Sequence, residues 1–164
     1  METYPDCEQR IDRNLADRMD DMRDLEALMG CTDVDDMPRV GALGREILDS
    51  LDDEYTADDV RDAAWEWLTE YPLSIDVPNT DPDAEYPPYV RILLSVGGPS
   101  DEFRMYFNAS GRCYSVEYRF TDWFDSASRV LLSSDKATVE ACFGGYAETV
   151  WDGWRNDDNT DDGF

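Results

Sequence analysis

The spacing of apolar residues changes from a helical period to a strand period near residue 72, and this change limits the fold more than any other feature of the sequence. Before it, apolar residues recur at steps of three or four, which places them on one stripe of an amphipathic α-helix. In the first such segment they are Ile11, Leu15, Met19, Met22, Leu25 and Met29. The spacing predicts helices over residues 6–29, 40–51 and 56–70, the last of them capped by Thr56.

After residue 72, apolar and polar residues alternate, as they do in half-buried antiparallel strands. The alternation is clearest over residues 102–108 and 113–120, and residues 73–77 and 89–96 are further strand candidates. A helical pattern returns in SSDKATVEACFGGYAETVW. The predicted fold class is therefore α+β, with N-terminal amphipathic helices, an antiparallel β-meander of three to four strands and a C-terminal helix.

The length of 164 residues and an apolar content of 41% indicate a folded core. We predict a single α+β domain over residues 1–154, with a helical part over 1–71 and the meander and last helix over 72–154. Residues 155–164, RNDDNTDDGF, are predicted to form a frayed acidic tail. Trp123, Trp151 and Trp154 are predicted to complete the core, and the alternative is that they are exposed interface anchors.

The charge of the chain is its most unusual compositional property. It has 39 acidic residues, of which 27 are Asp, against 14 basic residues, and its formal net charge is −25. A chain with this charge is repelled by nucleic acid and by anionic membranes, and it is attracted to strongly basic surfaces. Most surfaces of that kind exist to hold nucleic acid.

The acidic residues form clusters that predict a partner-binding surface. On the first helix, four aspartates fall opposite the apolar stripe, where residues three and four apart lie about 5–6 Å from one another. Residues 1–71 carry 22 acids and 7 bases, a net of −15, while residues 72–164 carry 17 and 7, a net of −10. The predicted partner-binding residues are Asp17, Asp20, Asp21, Asp24, Asp35, Asp36, Asp52, Asp53, Glu54, Asp58, Asp59 and Asp62. The alternative is an acidic surface that serves only solvation.

The sequence contains no catalytic or metal-binding motif. Because it has no histidine, a zinc site and a Ser–His or Cys–His nucleophile pair are not expected. The four cysteines, Cys7, Cys31, Cys113 and Cys142, have no metal-type spacing and are predicted to be small core residues. Residues 79–90 alternate acids as a calcium loop does, but lack its central glycine and its final carboxylate. We therefore expect neither an enzyme nor a cofactor.

Two stretches of the β-rich half, RILLSVGGPSDEFR and VEYRFTDWFDSASR, resemble small acidic proteins encoded on bacterial phages and conjugative elements. In those proteins an apolar strand runs into a GGPSDEFR-like turn, and an aromatic strand ends in a DWFD-like pattern. The likeness extends from Arg91 to Arg129, about a quarter of the chain. It implies a mobile-element origin, and by analogy of class a DNA-mimic anti-CRISPR or anti-restriction protein. It also implies structural roles: Gly97, Gly98 and Pro99 form the turn, while Trp123 and Phe124 pack.

These observations predict an acidic nucleic-acid mimic that inhibits a bacterial defence complex. It would occupy the basic nucleic-acid groove of a Cas effector or a restriction nuclease. One alternative is a non-mimic interaction module that binds through its aromatic β-face, and another is an ordinary protein with a halophilic surface. No signal peptide or membrane-spanning run is present in the sequence, so we expect it in the cytoplasm of the bacterial host. Whether it forms a homodimer is left open.

Overall fold

The structure is a computed structural model, and it describes residues 6–78 and 87–158. The chain divides into two compact units. The helical unit comprises residues 13–71, and the sheet unit comprises residues up to Asp12 together with those from Pro72 onward. The acidic loop that was compared with a calcium site falls largely within residues 79–86, outside the described residues.

The helical unit contains three α-helices, as the apolar spacing predicts. They are most of α1 (Cys7–Met29), α2 (Ala42–Asp49) and α3 (Ala57–Glu70). Thr56 caps α3 as predicted: it shares a capping box with Asp59, in which each residue accepts a hydrogen bond from the backbone amide of the other. The apolar stripes supply the buried residues, namely Met19, Met22, Leu25 and Leu28 of α1, Ile47 of α2, and Val60, Ala64 and Leu68 of α3.

The sheet unit is built on a five-stranded antiparallel meander in which each strand pairs with the next along the chain. The strands are β1 (Ser74–Asp76), β2 (Val90–Ser95), β3 (Pro99–Phe107), β4 (Cys113–Asp122) and β5 (Asp125–Val130). Burial alternates along the central strands, which confirms the two-residue period. Inward-facing residues such as Phe103 and Tyr118 are completely buried. The α+β class is thus confirmed.

The fifth strand corrects the predicted number of three to four. Its sequence, DSASRV, has small or charged residues where an amphipathic strand carries large apolar ones, and only Ala127 is buried within it. Backbone pairing to β4 holds it in place, in a register that runs from Glu117↔Val130 to Asp122↔Asp125. The hydrophobic pattern does not reveal such a strand, because the ladder hydrogen bonds that hold it are made by the backbone.

The last helix, α4 (Ser133–Asp158), packs against the sheet. Its buried residues include Val139, Cys142, Phe143, Ala147 and Trp151, whereas Tyr146 is exposed. The helix continues through Arg155 to Asp158, so the start of the segment predicted as a frayed tail is helical. Residues 159–164 lie outside the described residues. No helix among the described residues is long and apolar enough to cross a membrane.

Candidate partner-binding surface

The acidic residues predicted on α1 separate into two groups once α2 is in place. Asp17 and Asp20 are exposed, as predicted, and Asp20 forms an exposed ion pair with Arg23 at 3.3 Å. They line a surface depression of about 580 Å³, called here the α1–α2 depression. Its other charged lining residues are Asp21, Asp24, Arg23 and Arg39.

Asp24 does not belong to the exposed acidic surface, which corrects its predicted placement. It is buried, and its two carboxylate oxygens accept hydrogen bonds from the backbone amides of Gly41 and Gly44, each at 2.9 Å. These amides lie at the N-terminus of α2, where unsatisfied N–H groups and the helix dipole favour an anion. The role of Asp24 is therefore to anchor α2 on α1.

The two glycines that donate to Asp24 are in crowded positions, Gly41 beside the Asp24 carboxylate and Gly44 beside Val40. A Cβ atom added to Gly41 would lie 3.2 Å from the Asp24 carboxylate. One added to Gly44 would lie 2.5 Å from the Cβ of Val40, a distance that real structures do not tolerate. In the sequence, the contact between Asp24 and α2 is indicated only by two glycines three residues apart, Gly41 and Gly44, at the start of a short helix.

Asp21 is half-buried and holds the end of α3. Its carboxylate accepts a hydrogen bond of 2.6 Å from the hydroxyl of Tyr71, and that hydroxyl also accepts one of 3.0 Å from Arg18. Burial, followed by the hydrogen bond to Asp21, raises the pKa of Tyr71. Asp21 is therefore engaged inside the helical unit, and only part of it faces solvent.

A second concave surface is more strongly acidic. A depression of about 270 Å³, called here the α2–α3 depression, lies between the loop after α2 and the outer face of α3. The acidic residues that line it are Asp52, Glu54, Asp59, Asp62 and Glu66. All of these acids are exposed, and among the described residues none of them forms an ion pair with a basic side chain. Sequence reasoning identified four of them and missed Glu66.

The acids on α3 follow the helix period. Asp59, Asp62 and Glu66 are three and four residues apart, so their carboxylates succeed one another along one face. The Thr56 amide donates a hydrogen bond to Asp59, which lowers the pKa of that carboxyl and keeps it ionised at neutral pH. The result is a row of negative charges that no basic side chain among residues 6–78 and 87–158 neutralises.

The remaining predicted acids lie outside both depressions. Asp35 and Asp36 are exposed on a 3₁₀ turn (Val34–Asp36), and Asp53 is exposed in the loop after α2. Asp58 is exposed and forms an ion pair with Arg61 within α3. The twelve predicted residues thus form two concave groups and a dispersed remainder, not one continuous face.

Carboxylates of the sheet unit are more often neutralised. Asp76 pairs with Arg91 at 2.9 Å, Glu102 with Arg104 at 2.8 Å and Glu140 with Lys136 at 2.8 Å. Asp101 is buried and accepts a hydrogen bond of 2.8 Å from the hydroxyl of Tyr118. The charge that is open to a partner is therefore concentrated on the helical unit, in particular at the α2–α3 depression.

The tryptophan predictions divide between the two ends of the sheet unit. Trp151 is buried and stacks on Phe107, with ring centroids 5.5 Å apart, so its predicted core role is confirmed. Trp154 packs on Trp151. Trp123 and Phe124, by contrast, are 79% and 103% exposed, so the packing role expected for them is wrong. They form the turn between β4 and β5, and no element of the described part of the chain covers them.

The cysteines are all free, and three of the four are buried as predicted. Cys113 is half-buried, and burial, assisted by the nearby Glu140 carboxylate, raises the pKa of its thiol to about 11. Because the thiolate is the reactive form, the raised pKa slows reaction of the Cys113 thiol at neutral pH. Within the described residues, no group of three or more acidic or cysteine side chains is arranged to hold a metal ion.

The burial of the four cysteines can be tested by thiol titration. At pH 8 we expect the native chain to react with a disulfide reagent at least ~10-fold more slowly than the chain unfolded in guanidinium chloride, since a raised pKa lowers the thiolate fraction. The rate at Cys113 should rise with pH up to about 11. Fast reaction of one thiol in the native chain at pH 8 would contradict the burial described for these residues.

Comparison of the chain with protein-family models, with curated proteins and with solved structures gave no match.

Proposed function

We propose that this protein is an acidic nucleic-acid mimic that inhibits a bacterial defence complex, of the anti-CRISPR or anti-restriction kind, by occupying its DNA- or RNA-binding groove. The observation that carries the proposal is the α2–α3 depression, whose five exposed carboxylates form no ion pair with a basic side chain in the described part of the chain. A surface selected for stability alone would intersperse basic side chains, because like charges at helical spacing destabilise a helix by about 0.2–0.5 kcal/mol per pair.

The mode of binding follows from the charge. A nucleic-acid strand presents regularly spaced negative charges, and a groove that holds it presents Lys and Arg side chains at matching positions. The carboxylates along α3 and in the loop before it offer the same sign of charge on a rigid helix. Occupancy of the groove by this surface would exclude the nucleic acid, and no bond needs to be made or broken.

Capture of the partner tests this proposal. The tagged protein is incubated with lysates of bacteria that carry restriction or CRISPR systems, with and without an excess of competing DNA. We expect recovery of a nucleic-acid-binding complex that the DNA displaces. A partner retained equally in the presence of DNA would instead support the non-mimic interaction module, and the mimic proposal would fail.

A salt titration separates the proposal from the halophilic alternative. At about 0.1 M KCl, where the Debye length is about 10 Å, we expect a cooperative thermal transition, because the buried cores of both units are apolar. Molar KCl should raise the midpoint by screening repulsion among the carboxylates. A chain that is unfolded at ~0.1 M and folds only in molar KCl would show that its acidity is an adaptation to salt.

A further inference from the structure

The turn between β4 and β5 is a two-residue hairpin loop that consists of Trp123 and Phe124. The last strand pair before it is Asp122↔Asp125. The indole is 79% exposed and the phenyl ring completely exposed, which makes them the two most exposed large apolar side chains among the described residues. Two adjacent aromatic rings in water are unfavourable for a protein that does not cover them with a partner.

The backbone conformation at position 123 is one that tryptophan rarely adopts. Trp123 has φ of 54°, in the left-handed region. The first position of a two-residue hairpin loop adopts positive φ, and glycine, asparagine and aspartate are favoured there. A β-branched or bulky residue in this conformation is strained. Folding alone would place glycine at position 123, so a role outside the fold accounts better for an exposed indole.

The base of the hairpin is held from both strands by the first turns of α1. Asp125 accepts a hydrogen bond of 2.8 Å from the backbone amide of Cys7, and this bond lowers the pKa of the Asp125 carboxyl. Asp122 forms an ion pair with Arg10, whose guanidinium also lies over the ring of Phe120 at 4.9 Å. The base of the loop is therefore fixed by α1, and a preorganised contact loses less entropy on binding.

The neighbouring turn adds to the apolar surface. In a meander, the β2–β3 turn and the β4–β5 turn lie at the same end of the sheet, and Val96 in the first of them is 64% exposed. A shallow depression of about 290 Å³ lies between the two turns and is lined by Gly97, Gly98 and Trp123 among others. At this end of the sheet the exposed apolar surface thus consists of two aromatic rings on one turn and the Val96 side chain on the other. Here it is called the aromatic tip (Val96, Trp123 and Phe124).

The charge of the chain decides what can cover the aromatic tip. A formal charge of −25 opposes binding to an anionic membrane, to nucleic acid and to a second copy of the same chain. At the base of the tip, Arg10 neutralises Asp122, whereas Asp125 accepts a hydrogen bond from the uncharged Cys7 amide and keeps its negative charge. The surface that complements both features is a basic protein surface with an apolar pocket.

We propose that Trp123 and Phe124 form a hydrophobic anchor that inserts into an apolar pocket on a basic protein partner. The identification of that partner with the inhibited complex rests on the proposed function, whereas the anchor itself rests on the hairpin. Buried aromatic residues, tryptophan above all, dominate the binding energy of many protein interfaces, while charged rims govern the rate of association. The anchor would therefore supply binding that does not weaken as salt is added.

Site-specific photo-crosslinking tests the contact directly. Benzoylphenylalanine is introduced in place of Phe124, or, as a control, in place of Tyr114, which is 54% exposed near the opposite end of β4. After irradiation in the lysate used for capture, we expect one adduct from position 124, absent from position 114, with a protein of net positive charge. No adduct from position 124, equal adducts from both positions, or an adduct with an acidic protein would overturn the proposal.

A second variant measures the contribution of the anchor to affinity. Trp123→Gly with Phe124→Asn gives a loop sequence that hairpins favour, so its thermal midpoint should equal or exceed that of the native chain. The partner identified by crosslinking is purified, and the affinities of the loop variant and the native chain for it are compared. We expect the affinity of the variant to be at least ~30-fold lower at both ~0.1 M and ~0.5 M salt. An unchanged affinity would overturn the anchor.

The outcomes distinguish this inference from the proposed function. If the loop variant loses binding and partner capture is indifferent to DNA, the anchor stands and mimicry fails. If the loop variant binds normally and DNA displaces the partner, mimicry stands and the anchor fails. Vesicles of phosphatidylglycerol are a further control, since their capture by the native chain but not by the loop variant would show that the aromatic tip binds lipid, and the proposal would be overturned.

Discussion

Replacing Asp24 with alanine is expected to lower the free energy of unfolding by about 3 kcal/mol. The substitution leaves the amides of Gly41 and Gly44 without their acceptor in a buried position. Hydrogen bonds to a charged group contribute roughly 1.5–3 kcal/mol each, and loss of a helix cap costs about 0.5–2 kcal/mol. This loss is a large fraction of the roughly 5–15 kcal/mol by which a typical domain is stable. Urea denaturation of the variant and the native chain measures it.

Two further variants control this experiment. Asp24→Asn keeps one carbonyl oxygen as an acceptor, so its expected loss is about half that of the alanine variant. Asp20→Asn removes the same charge from an exposed position on the same helix and is expected to change stability by less than about 0.5 kcal/mol. Equal effects of Asp24→Ala and Asp20→Asn would show that Asp24 does not anchor α2.

Neutralising the α2–α3 depression is expected to lower the affinity for the captured partner about 100-fold at ~0.1 M salt, which corresponds to about 2.8 kcal/mol. The variant carries Asp52→Asn, Glu54→Gln, Asp62→Asn and Glu66→Gln, and it retains Asp59 because that residue caps α3. Interactions between these carboxylates and basic side chains of the partner would be lost, and the effect should shrink at ~0.5 M salt, where charges are screened. Isothermal titration at the two salt concentrations measures it.

A matched variant removes four charges from the sheet unit instead. It carries Glu117→Gln, Glu148→Gln, Asp152→Asn and Asp157→Asn, so both variants have the same net charge. We expect its affinity to fall less than about 3-fold. Equal losses in the two variants would mean that total charge, and not the α2–α3 depression, governs binding.

The helices and the central strands could be predicted from the sequence because their apolar residues bury one face each. Steps of three and four residues located α1 and α3 to within one residue, and strict alternation located β3 and β4. Strand β5 could not be found in this way, since its backbone pairs with β4 while its side chains remain largely exposed. The period of apolar residues shows which side chains are buried. A strand at the edge of a sheet can form although few of its side chains are buried.

The placement of the acidic residues was predictable only in part, for a related reason. A helical projection shows which residues lie opposite one apolar stripe, but not whether a second helix covers that side. Asp24 lies opposite the stripe of α1 and is nevertheless buried, because the N-terminus of α2 rests on it. Glu66 was missed because a lone glutamate in α3 belongs to no cluster in the sequence and joins one only through the fold.

The aromatic tip shows the limit of composition as a guide to burial. Large aromatic residues are buried on average, and this average assigned Trp123 to the core. The two-residue loop between Asp122 and Asp125 projects from the end of the sheet, where the described residues leave Trp123 and Phe124 largely exposed. Two aromatic residues with one aspartate on each side, as in Asp122-Trp123-Phe124-Asp125, are better interpreted as a turn that exposes the aromatic side chains.

The central claim, that this protein and nucleic acid compete for one groove, is tested most directly by displacement of labelled DNA from the purified partner. Fluorescence anisotropy is recorded as the protein is added at several fixed DNA concentrations. The account predicts that the apparent dissociation constant for DNA rises linearly with the concentration of the protein, without a plateau, and that no ternary complex forms. A plateau at which DNA, partner and protein are bound together would contradict it.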